Sequence, residues 1–187
     1  MSDDDAILAS AAAAGDREAL ERLLDRHTDL VHALCRRIVL DPDDALDATQ
    51  EALIAVVRGI PRFDGRSRFT TWLYRIATNA AIDELRRRQR RPIPHDVVPE
   101  PANPAPDRTD GVDARIDIDS ALARIPEDFR VAVVLRDLCD LDYAEIADVL
   151  SLPPGTVRSR IARGRAALHA ALAGNPTPAP DRPSERT

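Results

Sequence analysis

Lysine is absent from this 187-residue chain: all 26 basic residues are arginine. Aromatics make up only 3%, glycine occurs 7 times and cysteine 2 times. Cys35 and Cys139 are too few for a disulfide scaffold and too far apart in sequence for a compact metal site. Scarce glycine and aromatics beside abundant Ala and Leu disfavour a sandwich or barrel. No apolar run approaches the ~20 residues of a membrane-spanning helix. The longest charge-free stretch, Ala166 to Pro180, is broken by His169, Asn175 and three prolines. The acidic start (Asp3, Asp4, Asp5) is the opposite of a signal peptide's basic one. A cytoplasmic protein with no membrane insertion is therefore expected. No Gly-rich phosphate loop, nucleophile motif or carboxylate–His set is found, which argues against an enzyme such as a helical nuclease. His32-x-x-Cys35 has metal-ligand residue types, but Cys35 falls on an apolar helix stripe and reads as core. No metal and no cofactor is expected. Cys139, beside Asp140, is expected to be partly exposed.

What is present suits packed helices: 44% hydrophobic and 31% charged residues, enough for one large or two small domains. The net charge of −6 is unevenly placed. Residues 1–57 carry −8, 58–91 carry +7, 92–111 carry −3, 112–152 carry −6 and 153–172 carry +4. Two short basic segments thus stand in an acidic background, and the local field decides where a polyanion docks. Arginine's planar fork suits phosphate and the guanine edge.

Six prolines between Pro92 and Gly111 predict a non-helical linker over 92–111, and four more predict a disordered tail over 174–187. Residues 1–15 read as an acidic flexible end. The fold class is all-α: two small helical domains, 16–91 and 112–173, joined by the Pro-rich linker, the second containing a helix-turn-helix.

In the first block Asp16 can cap a helix running to about Leu40, with apolar residues at three- and four-residue steps. A second helix covers about 43–58. A basic loop, Pro61 to Arg68, leads into a third helix from about Phe69 to Arg90. On its wheel Phe69, Leu73, Ile76, Ala77 and Ala80 form the core stripe. Trp72, Arg75, Asn79, Asp83, Arg86 and Arg90 share another face, which reads as a nucleic-acid surface. The competing reading is a solvated basic face with Trp72 tucked into the core.

The second block carries a sharper motif. Asp142 and Glu145 form a capping box that opens a short helix, Tyr143 to Leu150. The turn Ser151-Leu152-Pro153 follows, and Pro154 suits the first position of a new helix. Val157, Ile161, Gly164, Leu168 and Leu172 line one face of that helix, while Arg158, Ser159 and Arg163 project from another, with Thr156 near its start. This is a helix-turn-helix whose early exposed residues would enter a major groove.

Both blocks resemble one family, the extracytoplasmic-function sigma factors of the bacterial sigma-70 superfamily. Asp44-Ala-Leu-Asp47-Ala-Thr-Gln50-Glu51 resembles the family's motif for the clamp helices of core RNA polymerase, which implies Asp47, Gln50 and Glu51 as polymerase contacts. The segment Phe63 to Asp83 resembles its −10 recognition loop and helix. Arg62, Phe63, Asp64, Arg66, Arg68, Trp72, Arg75, Asn79, Asp83, Arg86 and Arg87 are the −10 candidates. Val134 to Leu150 and Pro154 to Arg160 resemble its −35-binding helix-turn-helix. Here the candidates are Thr156, Arg158, Ser159, Arg160 and Arg163, with Arg160 pointing sideways toward phosphate. The chain departs from the family at Leu53 and Val57, where Phe and Trp are frequent, and at Ser151, where Gly is. The resemblance implies three partners: core RNA polymerase (clamp helices and flap), promoter DNA and an anti-sigma factor. The alternative is a helix-turn-helix regulator that binds an operator without polymerase.

Overall fold

The computed structural model describes residues 3–90 and 118–173, and every regular element among them is helical. The predicted linker (92–111) and tail (174–187) lie outside the described residues. Four helices make the first block: α1 (Asp3–Ala13), α2 (Arg17–Val39), α3 (Pro42–Gly59) and α4 (Phe69–Arg90), with a 3-10 turn at Ile60–Arg62. The second block holds α5 (residues 118–123), α6 (Glu127–Asp137), α7 (Tyr143–Leu150) and α8 (Pro154–Leu172). No helix among the described residues is long and apolar enough to cross a membrane.

The helix starts follow from side-chain chemistry. The Asp16 carboxylate accepts from the Ala19 N–H at 3.1 Å. Asp41 accepts from the N–H groups of Asp43 (3.1 Å) and Asp44 (3.2 Å), and Pro42 fills the first position of α3, where a missing donor costs nothing. In α7 the capping box is complete: Asp142 accepts from the Glu145 N–H at 2.8 Å, and Glu145 accepts from the Asp142 N–H at 3.0 Å. Ser151 ends α7 in the left-handed region (φ 53°), the conformation that glycine at this turn would adopt freely.

The expected flexible amino terminus is instead helix α1. Its charge was the misleading signal. Acidic residues in a first turn complement the helix dipole, and the alanine-rich stretch behind them has high helix propensity. Burial supplies the rest, since Leu8, Ala9 and Ala12 are buried against the first block. Arg26 donates to Asp5 at 3.0 Å and also to Asp4, and the His27 ring lies 3.1 Å from Asp5.

Leu23, Leu34 and Ile38 of α2, Ala45, Ala48, Ala52 and Val56 of α3, and Leu73, Ala77 and Ala81 of α4 form the core of the first block. Small residues along α3 let its axis approach α4 closely. Helix α4 is buried more widely than its predicted stripe: Tyr74, Thr70, Thr78, Ala81 and Leu85 are buried too, while Ile76 and Ala80 are half-buried. The cause is position, because α4 packs against α2 and α3 and also meets α7 of the second block. The apolar cluster continues through Leu135, Leu141, Ile146 and Ile161, so the two blocks share one core. Leu172, placed on the inner stripe of α8 by the wheel, is exposed, and Ala167 and Ala171 are buried instead.

Candidate nucleic-acid interface

The loop between the 3-10 turn and α4 is shaped locally. Gly65 takes φ 71°, a bend that a side chain resists. Asp64 accepts from the Arg66 N–H at 3.1 Å and pairs with its guanidinium at 3.0 Å. Beneath the loop lies an aromatic cluster. Phe63 stands 5.4 Å from Trp72 and 6.0 Å from Phe69, ring centre to ring centre. Trp72 is half-buried and leans on Gly59, where an added Cβ would sit 3.1 Å from the indole. It therefore props the loop rather than lying deep in the core. Arg62, Asp64 and Arg66 are exposed, and Phe63 is half-buried.

Of the polar face predicted on α4, Arg75, Asn79, Asp83, Arg86 and Arg90 are exposed and Trp72 is half-buried, and Arg87 is exposed beside them. Asp83 pairs with Arg86 at 3.3 Å, and Arg87 pairs with the buried Glu84, so these two arginines are held against their own helix. Glu51, Asn79, Asp83 and Arg87 line an open groove of about 520 Å3 between α3 and α4. The groove brings a polymerase-contact candidate beside three −10 candidates.

Asp47, Gln50 and Glu51 are exposed on the outer face of α3. Leu46, Ile54 and Val57 lie there too, 50%, 42% and 46% exposed, so this face is as apolar as it is acidic. Of its apolar members the sequence pointed only to Val57, through the family resemblance, and not to Leu46 or Ile54. The missing signal was periodicity: these three fall opposite the buried Ala45, Ala48, Ala52 and Val56.

In the helix-turn-helix, Val157, Ile161 and Gly164 turn inward. Arg158, Ser159 and Arg163 face solvent, and Thr156 is half-buried. Arg158 lies 5.9 Å over the Tyr143 ring, a cation–π contact that steadies its stem. The Ser159 hydroxyl donates to the Thr156 carbonyl at 2.9 Å. Arg160 donates to Asp128 of α6 at 2.8 Å, which accounts for its sideways direction.

Both cysteines are buried, Cys139 included, contrary to expectation, because the turn after α6 folds it into the shared core. Burial pushes the Cys35 thiol up to about 11 and that of Cys139 up to about 12. Neither presents a thiolate at neutral pH. His32 faces Thr49 at 3.2 Å.

The sigma-70 region 2 family pattern matches residues 23–91, and the sigma-70 region 4 pattern matches residues 115–168. The RNA polymerase sigma-H factor of Pseudomonas aeruginosa is 38% identical over 172 residues, covering 84% of this chain and 88% of that protein. The chain belongs to the extracytoplasmic-function sigma factors. SigM of Mycobacterium tuberculosis, a sigma factor of this type, is 39% identical over 164 residues, covering 88% of this chain and 82% of its own. The sigma-E factor of Escherichia coli K12 is 37% identical over 177 residues, covering 88% and 92%. Among solved structures, CnrH in complex with the cytosolic domain of CnrY is similar, with a TM-score of 0.70 at 27% identity, covering 92% of this chain and 99% of CnrH. RpoE bound to the anti-sigma factor NepR from Bartonella quintana has the same fold, with a TM-score of 0.66 at 23% identity, covering 82% and 96%. As an RNA polymerase sigma factor, the chain is not the polymerase-free regulator weighed above.

Proposed function

We propose that this sigma factor acts in the cytoplasm as a promoter-specificity subunit that contributes binding and no chemistry of its own. Its region 4 helix-turn-helix reads the −35 element, and its region 2 loop and α4 read and open the −10 element. The observation that carries this division is the pair of arginine-bearing faces left free by packing, one along α4 and its loop, the other at the start of α8.

Arg158 and Arg163 are positioned to meet guanine edges or phosphate, at roughly 1–3 kcal/mol of discrimination per bidentate pair. Arg62 and Arg75, exposed along the loop and α4, suit backbone contact. Unstacking a −10 base costs a few kcal/mol, which stacking and edge hydrogen bonds at the 62–68 loop repay. The outer face of α3 offers Asp47, Gln50 and Glu51 with Leu46, Ile54 and Val57 to the polymerase clamp. Acidic groups speed encounter with a basic partner, and the apolar ones bury area once docked. The solved complex of RpoE, a sigma factor of the same fold, with the anti-sigma factor NepR supports an anti-sigma partner for this chain as well.

The test is transcription from a promoter library with core polymerase, with and without the protein. Start sites chosen only in its presence are expected. An unchanged start-site profile would sink the reading.

A further inference from the structure

Tyr143 opens α7 with its side chain exposed, whereas the other tyrosine, Tyr74, is buried in the shared core. Two guanidiniums lie over the Tyr143 ring: Arg136 of α6 at 5.6 Å and Arg158 of α8 at 5.9 Å from its centre. Among the described residues, both cation–π contacts therefore fall on this one side chain.

The ring is held in place from two directions. Asp142 and Glu145 close the capping box around the first turn of α7, which fixes the backbone at Tyr143. Arg136 is itself anchored, half-buried and donating to the Leu141 carbonyl at 2.7 Å. The ring thus links an anchored arginine on α6 to an exposed one near the start of α8.

Other arginines of α8 are held differently. Arg160 donates to Asp128, and Arg165 donates to Asp137. A carboxylate neutralises a guanidinium and occupies its N–H groups. Arg158 is steadied by a ring instead, with no ion pair among the described residues. A ring face attracts the cation through its quadrupole and takes none of its N–H donors.

We infer that Tyr143 is a positioning residue for −35 recognition: it orders Arg158 while leaving the charge and the N–H fork free for the duplex. This rests on the reading of Arg158 as a residue that meets a base edge. An arginine without a support spreads over many rotamers, and ordering it on DNA costs part of what the contact supplies. Ordering it beforehand cuts that cost. A bidentate guanine contact needs the fork in one orientation, so a support under Arg158 acts on discrimination among bases.

The test uses holoenzyme, assembled from core polymerase and the full chain, on templates carrying each single base change in the −35 element. Initiation on the best template relative to each changed one gives the discrimination at every position, and Arg158→Ala identifies the position that Arg158 reads. Tyr143→Leu keeps an apolar side chain without a ring face. It is expected to lower discrimination at that position by about two- to fivefold, the scale of one exposed cation–π contact, and to leave the other positions unchanged. Tyr143→Phe keeps the face and loses only the hydroxyl, and is expected to retain wild-type discrimination. Combining Tyr143→Leu with Arg158→Ala should lower discrimination no further than Arg158→Ala alone. Tyr143 is exposed, so these variants keep the fold, which a thermal melt verifies. If Tyr143→Leu kept wild-type discrimination, or lost activity equally on all templates, while Arg158→Ala lost discrimination, the positioning role would fall and the −35 reading would stand. A loss in Tyr143→Phe as large as in Tyr143→Leu would also overturn the role, because the hydroxyl and not the ring face would then matter. If Arg158→Ala changed discrimination at no position, both would fall together.

Discussion

One carboxylate oxygen of Glu145, in α7, accepts from both the Arg68 guanidinium (Nε at 3.1 Å) and the Thr71 hydroxyl (2.8 Å), joining the helix-turn-helix to the 62–68 loop and the start of α4. Its other oxygen closes the capping box on Asp142. A residue that reads as a local helix cap is therefore also a contact between positions 74 and 77 residues apart in sequence. It sits over a shared apolar core where α2 meets α6 and α4 meets α7. Arg68, a −10 candidate, is occupied by the chain's own second block. The two blocks that the family resemblance assigns to separate promoter elements are packed together here.

Glu145→Ala removes this latch together with half of the capping box. The expected cost is about 1–2 kcal/mol of stability, combining a lost cap with a partly exposed ion pair. Thr71→Val removes one arm of the latch without touching the cap. In scattering measurements on the free chain, Glu145→Ala should enlarge the radius of gyration and Thr71→Val should move it the same way by less. Identical radii for both variants and the wild type would show that the latch does not hold the blocks together.

The latch has a pH signature. Burial raises the Glu145 pKa, but the Arg68 guanidinium, the Asp142 N–H and the Thr71 hydroxyl outweigh it, leaving the carboxyl below its ordinary 4.5. A carboxylate depressed in the folded state contributes stability that is fully present above its unfolded pKa and is lost as pH falls through the folded one. The difference in melting temperature between wild type and Glu145→Gln should therefore be constant above about pH 5 and shrink once pH drops below 4.5. A difference that stays constant down to pH 3 would contradict this origin.

Much of the architecture was legible because it is local. Asp16, Pro154 and the Asp142–Glu145 box each announce a helix within four residues, and α2, α8 and α7 begin where those signals lie. The ridge from Arg75 to Arg90 emerged from periodicity alone. What stayed hidden is tertiary. Nothing near Asp4 and Asp5 in sequence reveals that Arg26 and His27 await them. Nothing near Glu145 points to Arg68. The breadth of burial on α4 was missed for the same reason: a wheel shows one stripe, whereas this helix has neighbours on several sides.

Gly164 and Gly155 share a helix and should respond to alanine in opposite directions. A Cβ at 164 would meet the Val133 methyl at 2.5 Å and the Phe129 carbonyl at 2.9 Å, and the carbonyl belongs to backbone that cannot swing away. At 155 nothing lies within 4 Å. Gly164→Ala should cost about 1–3 kcal/mol through overpacking, partly offset by helix propensity. Gly155→Ala should be neutral or gain up to about 1 kcal/mol. Denaturant midpoints of the two variants decide this, and a neutral Gly164→Ala would mean that α6 and α8 cross less tightly than the contact implies.

Arg158 and Arg90 test the proposed division between reading sequence and holding backbone. Arg158 projects from the first turns of α8 beside Tyr143, the part of a helix-turn-helix that reaches base edges. Arg90 ends α4 in a run of exposed arginines and donates to the Arg86 carbonyl, a placement suited to phosphate. In holoenzyme, Arg158→Ala should weaken initiation selectively, by about 1–3 kcal/mol at promoters whose −35 element it reads and little elsewhere. Arg90→Ala should weaken all promoters alike and reduce the salt dependence of binding by about one counterion. Arg160, tied to Asp128, supplies the internal control: Asp128→Asn frees it without removing it, so a change in promoter preference there would show that its pairing keeps it away from the duplex. Equal losses for Arg158→Ala and Arg90→Ala on every promoter would mean that both arginines serve the backbone, and the discrimination at −35 would have to come from Ser159, Arg163 or the shape of the groove.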